Sequence, residues 1–76
     1  MRKLNVAIVG AGNMGNVHAT AYSRIDEAQI VAVCDVDANK AKALADKVGA
    51  EKTYSDHRDA FKEKIDIADI CVPTFL

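Results

Sequence analysis

The stretch from Val6 to Gly15, V-A-I-V-G-A-G-N-M-G, constrains this chain more than any other. An apolar run stops at Gly10, and glycines return at Gly12 and Gly15. That is the G-x-G-x-x-G spacing of a strand-to-helix turn that cradles a dinucleotide. Each glycine answers a separate physical need. Gly10 lets the backbone turn sharply at positive φ. A bare backbone at Gly12 lets a pyrophosphate approach, and Gly15 lets the new helix pack tightly on the strand. The helix start then offers unpaired N–H groups and the positive end of its dipole to phosphate oxygens.

The glycine spacing by itself is common, so its flanks decide what it means. Asp35 stands twenty positions after Gly15, at the end of the apolar run Gln29–Cys34. In a dinucleotide fold a carboxylate placed there accepts hydrogen bonds from the adenosine ribose hydroxyls. A plainer role, ending the strand or helping to cap the next helix, competes with it. Charge favours NAD over NADP. A 2′-phosphate beside Asp35 and Asp37 meets like charges, each costing about 4 kcal/mol at roughly 4 Å and an effective dielectric near 20. Lys40 is the nearest cation, and no arginine follows Asp35.

The rest of the chain reads as alternating strands and helices. Lys3 to Val9 is nearly continuous in apolar residues from Val6, as suits a strand covered on both faces. Asn13 to Ile25 reads as a helix with Met14, Val17, Ala21 and Ile25 on its inward stripe. Gln29 to Cys34 is a β-branched strand. Ala38 to Val48 forms a second helix, capped by Asp37 and stopped by Gly49, with Ala38, Ala41, Leu44, Ala45 and Val48 inward. Lys52-Thr53-Tyr54 allows a brief strand. Ser55 or Asp56 caps a short third helix to about Lys62, carrying Ala60 and Phe61 inward. Ile67 to Val72 is a further strand closed by Pro73, with Asp69 at its entry and Ile70 to Val72 as its buried part. The order β-α-β-α-β-α-β predicts an α/β Rossmann-like parallel sheet, strand order 3-2-1-4, with helices on both faces.

The 76 residues allow one small domain, so residues 1–76 are expected to be a partial dinucleotide-binding domain with no second domain. A net charge of −1 with scattered basic residues makes nucleic acid a poor partner. No apolar run approaches the roughly 20 residues that span a bilayer. The basic start, Met1-Arg2-Lys3, lacks the long apolar region of a secretory signal, which points to a cytoplasmic protein. Cys34 and Cys71 read as small buried hydrophobes, with no metal or disulfide role. His18 reads as a surface or packing residue, His57 as solvated, and Tyr22 and Tyr54 as packing residues with one polar end.

Three segments together resemble the N-terminus of a Gfo/Idh/MocA-type oxidoreductase: M-R-K-L-N-V-A-I-V-G-A-G-N-M-G-N-V-H-A, V-A-V-C-D-V-D and D-I-C-V-P-T-F-L. His18 and the C-V-P-T segment are the more diagnostic parts. The resemblance covers essentially the whole chain. It implies that Gly10, Gly12, Asn13, Met14 and Gly15 wrap the pyrophosphate and that Asp35 holds the adenosine ribose. It further implies that Cys71, Val72, Pro73 and Thr74 run beside the cofactor towards the nicotinamide ribose. The family's Glu-Lys-Pro lysine has no counterpart here, since Glu63-Lys64 is followed by Ile65. Its catalytic histidine or aspartate lies in a second domain, so no residue of this chain is assigned to catalysis.

The resemblance implies a longer parent that moves hydride between NAD and a sugar, polyol or related alcohol. A non-catalytic dinucleotide-binding module or sensor is the alternative. A methyltransferase is a weaker one, disfavoured by the glycine spacing and by C-V-P-T. The last strand leaves an open edge beside Phe75 and Leu76, which predicts self-association of the chain.

Overall fold

The computed structural model describes residues 3–62 and 64–71. Its elements run β1 (Leu4–Val9), α1 (Asn13–Ser23), β2 (Ala28–Cys34), α2 (Ala38–Val48), β3 (Lys52–Tyr54), α3 (His57–Ala60) and β4 (Ile67–Ile70). The strands form one sheet in the order β3-β2-β1-β4, with every pairing parallel. That is the α/β Rossmann-like architecture and strand order expected from the sequence.

Most of the core lies between one face of the sheet and the helices α1 and α2. Val6 and Ile8 of β1 and Ile30 and Val33 of β2 meet Ala19 of α1 and Ala41, Leu44 and Ala45 of α2 there. On the other face Val9 and Cys34 pack against Ala60 of α3, with Tyr54 alongside. The two strands reach this division by different routes. β1 alternates simply, whereas the register against β2 slips between Val6↔Ile30 and Ala7↔Ala32. Val31 is the extra residue, and it shifts the phase of the pleat so that Ile30 and Val33 share a face despite odd spacing.

Helix α2 matches its expected bounds because both of its ends are chemically marked. The Asp37 carboxylate accepts from the Asn39 and Lys40 N–H groups at 3.0 and 3.3 Å. Gly49 closes the helix in the left-handed region at φ 78°, its N–H bonded to the Ala45 carbonyl. Ala41, Leu44 and Ala45 are buried and Val48 partly so, but Ala38, at the first turn, is exposed.

Helix α1 corrects the expected stripe. Met14, Val17 and Ile25 are 57%, 63% and 44% exposed, and Ala21 is exposed too. Gly15 and Ala19 are the buried positions, with Tyr22 packed partly against the core. The helix docks by its smallest side chains, because close approach to the β1 end selects them over bulk. It also ends earlier than expected. The Arg24 N–H reaches the Ala21 carbonyl and the Ile25 N–H the Tyr22 carbonyl, a tightened last turn that releases Ile25 from the helix.

Two smaller expectations also change. α3 stops at Ala60, and Phe61 is 45% exposed instead of inward, meeting the His57 ring edge-on at 5.8 Å between centroids. Asp56 is its cap, and hydrogen bonds from Arg58 hold the Asp56 carboxyl far below the usual carboxylate range. In β4, Asp69 sits inside the strand opposite Ile8, not at its entry, and Ile70 is 56% exposed. Val72, expected to complete this strand, lies outside the described residues.

Candidate functional site

The site is built where β1 and β2 end. Gly10 adopts φ 104° and donates its N–H to the Cys34 carbonyl at 2.7 Å, which keeps the turn attached to the neighbouring strand. A Cβ on Gly15 would lie 1.8 Å from the Gly10 carbonyl oxygen, so the helix rests directly on that peptide. At Gly12 a Cβ would meet nothing within 4 Å. The first and third glycines therefore serve the fold, and the second borders open space.

Gly12 is the N-cap of α1, and no side chain caps the helix there. There is no acidic residue in the first turn either. The helix start is left with its electropositive N–H groups unclaimed by side chains, the condition for binding an anion. Asn16 holds the loop from behind. Its side-chain amide donates to the Ala11 and Gly12 carbonyls at 3.1 and 2.9 Å, and its N–H donates to Gly12 at 2.9 Å. The sequence reading assigned Asn16 no role. An asparagine four positions after Gly12 is the signal that could have suggested one.

Asp35 faces this loop. One carboxylate oxygen accepts the Ala11 N–H at 2.7 Å and the other accepts the Asp37 N–H at 2.8 Å. Each oxygen retains a lone pair for a further donor, so the anchoring role and a ribose-binding role are compatible. The Asp37 carboxylate is engaged in capping α2.

A cleft of about 750 Å³ opens over the strand ends. Of the residues singled out in the sequence, Gly10, Gly12, Asn13, Met14, Asp35 and Cys71 line it. Gly15 lies beneath the turn and does not. Val72, Pro73 and Thr74 lie outside the described residues. Lys40 and His57 also border the cleft. His57 is exposed, as expected.

On the β4 side of the cleft stands a cluster that the sequence reading did not anticipate. His18 Nδ1 lies 2.7 Å from Asp69 Oδ2, and the Cys71 thiol donates to Asp69 Oδ1 at 3.2 Å. Cys71 Sγ is 3.4 Å from His18 Nδ1. Burial works to raise the Asp69 carboxyl, but the His18 and Cys71 hydrogen bonds outweigh it and hold the group below its ordinary range. An ionised Asp69 accepts only, so Nδ1 carries the His18 ring proton in this arrangement. Burial first, then the hydrogen bond and charge of Asp69, push the Cys71 thiol up to about 11. Cys34 is buried, as expected of a small hydrophobe, whereas Cys71 is half-buried in a polar cluster and is not one. His18 likewise joins this cluster, which neither a plain surface nor a plain packing role describes.

Comparison with known proteins gives a consistent picture. The family model described as an oxidoreductase family with an NAD-binding Rossmann fold matches residues 4–76. The chain is 38% identical over 72 residues to the D-glucoside 3-dehydrogenase of Escherichia coli (strain K12), covering 92% of this chain and 20% of that protein. The crystal structure of myo-inositol 2-dehydrogenase from Lactobacillus plantarum superposes with a TM-score of 0.88 at 33% identity, covering 96% of this chain and 22% of that one. The structure of GenD2 from gentamicin A biosynthesis, in complex with NAD, superposes with a TM-score of 0.90 at 28% identity. It covers 97% of this chain and 21% of its own. The chain thus spans about a fifth of the length of the relatives it matches.

Proposed function

The chain belongs to the Gfo/Idh/MocA oxidoreductase family, with the NAD-binding Rossmann fold of that family over residues 4–76, and from that premise we propose how its cleft is used. NAD lies across the strand ends with its pyrophosphate against Gly10, Gly12, Asn13 and Met14. Gly15 brings the helix close enough for this, and Asp35 accepts the adenosine ribose hydroxyls. Cys71, Val72, Pro73 and Thr74 continue along the nicotinamide side. The observation that carries this reading is the uncapped start of α1 at Gly12, open in front and faced by the Asp35 carboxylate.

The residues fit an anionic dinucleotide in three respects. The helix start is electropositive, the turn is held in place by its bonds to Cys34, Asp35 and Asn16, and Asp35 retains accepting capacity. Bound NAD supplies hydride acceptance at the nicotinamide ring. This chain's own part is to bind and orient. The whole protein we read as a dehydrogenase of a sugar, polyol or related alcohol, because relatives such as the D-glucoside 3-dehydrogenase and the myo-inositol 2-dehydrogenase carry those activities. Residues 1–76 then form part of its dinucleotide-binding domain. A non-catalytic dinucleotide-binding module is the second reading.

Calorimetric titration of NAD and NADP into the same sample tests the binding reading. NAD is expected to bind at least about 10-fold more tightly, since one like-charge contact at 4 Å already exceeds the 1.4 kcal/mol that tenfold represents. Tighter NADP binding overturns the assignment of Asp35. Alcohol-dependent NADH production by this chain alone excludes the non-catalytic module.

Among the described residues no helix is long and apolar enough to cross a membrane. We read the protein as cytoplasmic, and fractionation of the native host tests that. We also read the chain as self-associating along β4, which among the described residues pairs only with β1 and exposes Ile70. Light scattering that stays at the monomer mass over a wide concentration range excludes this.

A further inference from the structure

The His18–Asp69–Cys71 cluster combines an imidazole nitrogen, a carboxylate and a sulfur, with one ligand atom from each lying within 4.8 Å of the others. No other group of three or more such side chains among the described residues meets that condition. We propose that it is a binding site for a divalent transition-metal ion of borderline softness, zinc in particular. The proposal does not depend on dinucleotide binding.

The geometry is close to what such an ion needs. Tetrahedral zinc with one nitrogen, one oxygen and one sulfur ligand sets ligand–ligand edges of about 3.3–3.6 Å. The sulfur–nitrogen edge is 3.4 Å here. Asp69 meets the other two ligands through different oxygens, Oδ1 at 3.2 Å from the sulfur and Oδ2 at 2.7 Å from the nitrogen. A rotation of the Asp69 carboxylate that presents one oxygen to both completes the set, and the three ligand atoms already lie within 4.8 Å of one another. Each ligand is also held. Asp69 and Cys71 are two residues apart on an extended segment and project to the same side. The Cys71 N–H is bonded to the Val9 carbonyl at 2.7 Å, fixing the segment to the sheet centre. His18 comes from α1, next to Ala19, which is buried in the core and holds the helix on the sheet. The cluster borders the cleft through His18 and Cys71, so water can supply a fourth ligand.

On binding, the sulfur enters as thiolate and its proton passes to solvent. The imidazole binds through Nδ1 after its ring proton moves to Nε2, and no electron transfer is involved. A mixed nitrogen, oxygen and sulfur set selects zinc or cobalt over magnesium, which prefers oxygen alone.

Titrating cobalt(II) into the reduced, chelator-treated protein tests the site. Expected is a near-ultraviolet thiolate-to-cobalt band that saturates at one equivalent, is displaced by stoichiometric zinc and is insensitive to excess magnesium. Cys71→Ser is expected to remove the band, and His18→Gln to weaken binding by more than the about 10–100-fold typical of changes outside the ligand set. Circular dichroism of each variant confirms that the fold is kept. Zinc-edge X-ray absorption on the unaltered protein needs no variant, and is expected to show one sulfur neighbour among nitrogen and oxygen. Absence of the band at millimolar cobalt, its persistence in Cys71→Ser, or a shell without sulfur overturns the proposal.

Discussion

Replacing Gly15 with alanine is expected to destabilise the native state by about 3 kcal/mol or more. The added Cβ would lie 1.8 Å from the Gly10 carbonyl oxygen and 2.9 Å from its carbon, both backbone atoms that no rotamer change can clear. Helix α1 must then retreat from β1 by about 1 Å or more in an interior that is otherwise close-packed. That retreat separates Ala19 from Val6 and Ile8 and opens the larger core cluster. Overpacking of this kind costs about 1–3 kcal/mol and more where the backbone itself must move. A chain of this size has only about 4–11 kcal/mol in total at 0.05–0.15 kcal/mol per residue. Thermal melts followed by circular dichroism measure the outcome, with Gly12→Ala as the control. At Gly12 the new Cβ meets open space and φ is −81°, so the control keeps the wild-type transition. A cooperative Gly15→Ala melt within about 1 kcal/mol of wild type contradicts the packing argument.

The second large effect is on the ligand. Asp35→Ala is expected to weaken NAD binding by about 100-fold or more. Two hydrogen bonds from ribose hydroxyls to a charged acceptor are worth about 1.5–3 kcal/mol each, and every 1.4 kcal/mol is tenfold. The same substitution frees the Ala11 and Asp37 N–H groups, which loosens the glycine turn itself. Asp35→Asn separates the two roles. It keeps one accepting oxygen for the backbone but removes the negative charge, so NAD affinity falls while NADP affinity holds or rises. Titrations of both dinucleotides into both variants read this directly. Equal losses for NAD and NADP in Asp35→Asn indicate that Asp35 acts through the loop alone.

The parts of this molecule that were legible in the sequence are those whose cause is local. Gly10, Gly49 and Asp37 each mark a conformation or a cap within a few residues of themselves, and the boundaries they imply for β1 and α2 agree with the structure. The placement of Asp35 at the cleft was legible because its distance from Gly15 is set by one helix and one strand. The face of α1 was not. Periodicity weighs apolar bulk and so selected Met14, Val17 and Ile25, whereas the docking distance is fixed by Gly15 on Gly10 and admits only small residues. The polar cluster was hidden for a different reason. Its partners His18 and Asp69 are 51 positions apart, and Asp69 in isolation looks like a flaw in a strand. Only the pairing of β4 with β1 brings it beneath α1. Phe61 shows the same limit: with α3 only four residues long, there is no second turn to carry it inward.

The bonds that hold the glycine turn also bear on how fast a ligand can come and go. Gly10 is tied to Cys34, Ala11 to Asp35, and the Ala11 and Gly12 carbonyls to Asn16, all by bonds within the chain itself. A loop already fixed loses little freedom on binding, so encounter is not slowed by a search for the competent shape. If the turn holds the dinucleotide as proposed, differences in affinity among dinucleotides are expected in residence time more than in arrival rate. Such a turn is a rigid seat, with selectivity exercised on departure.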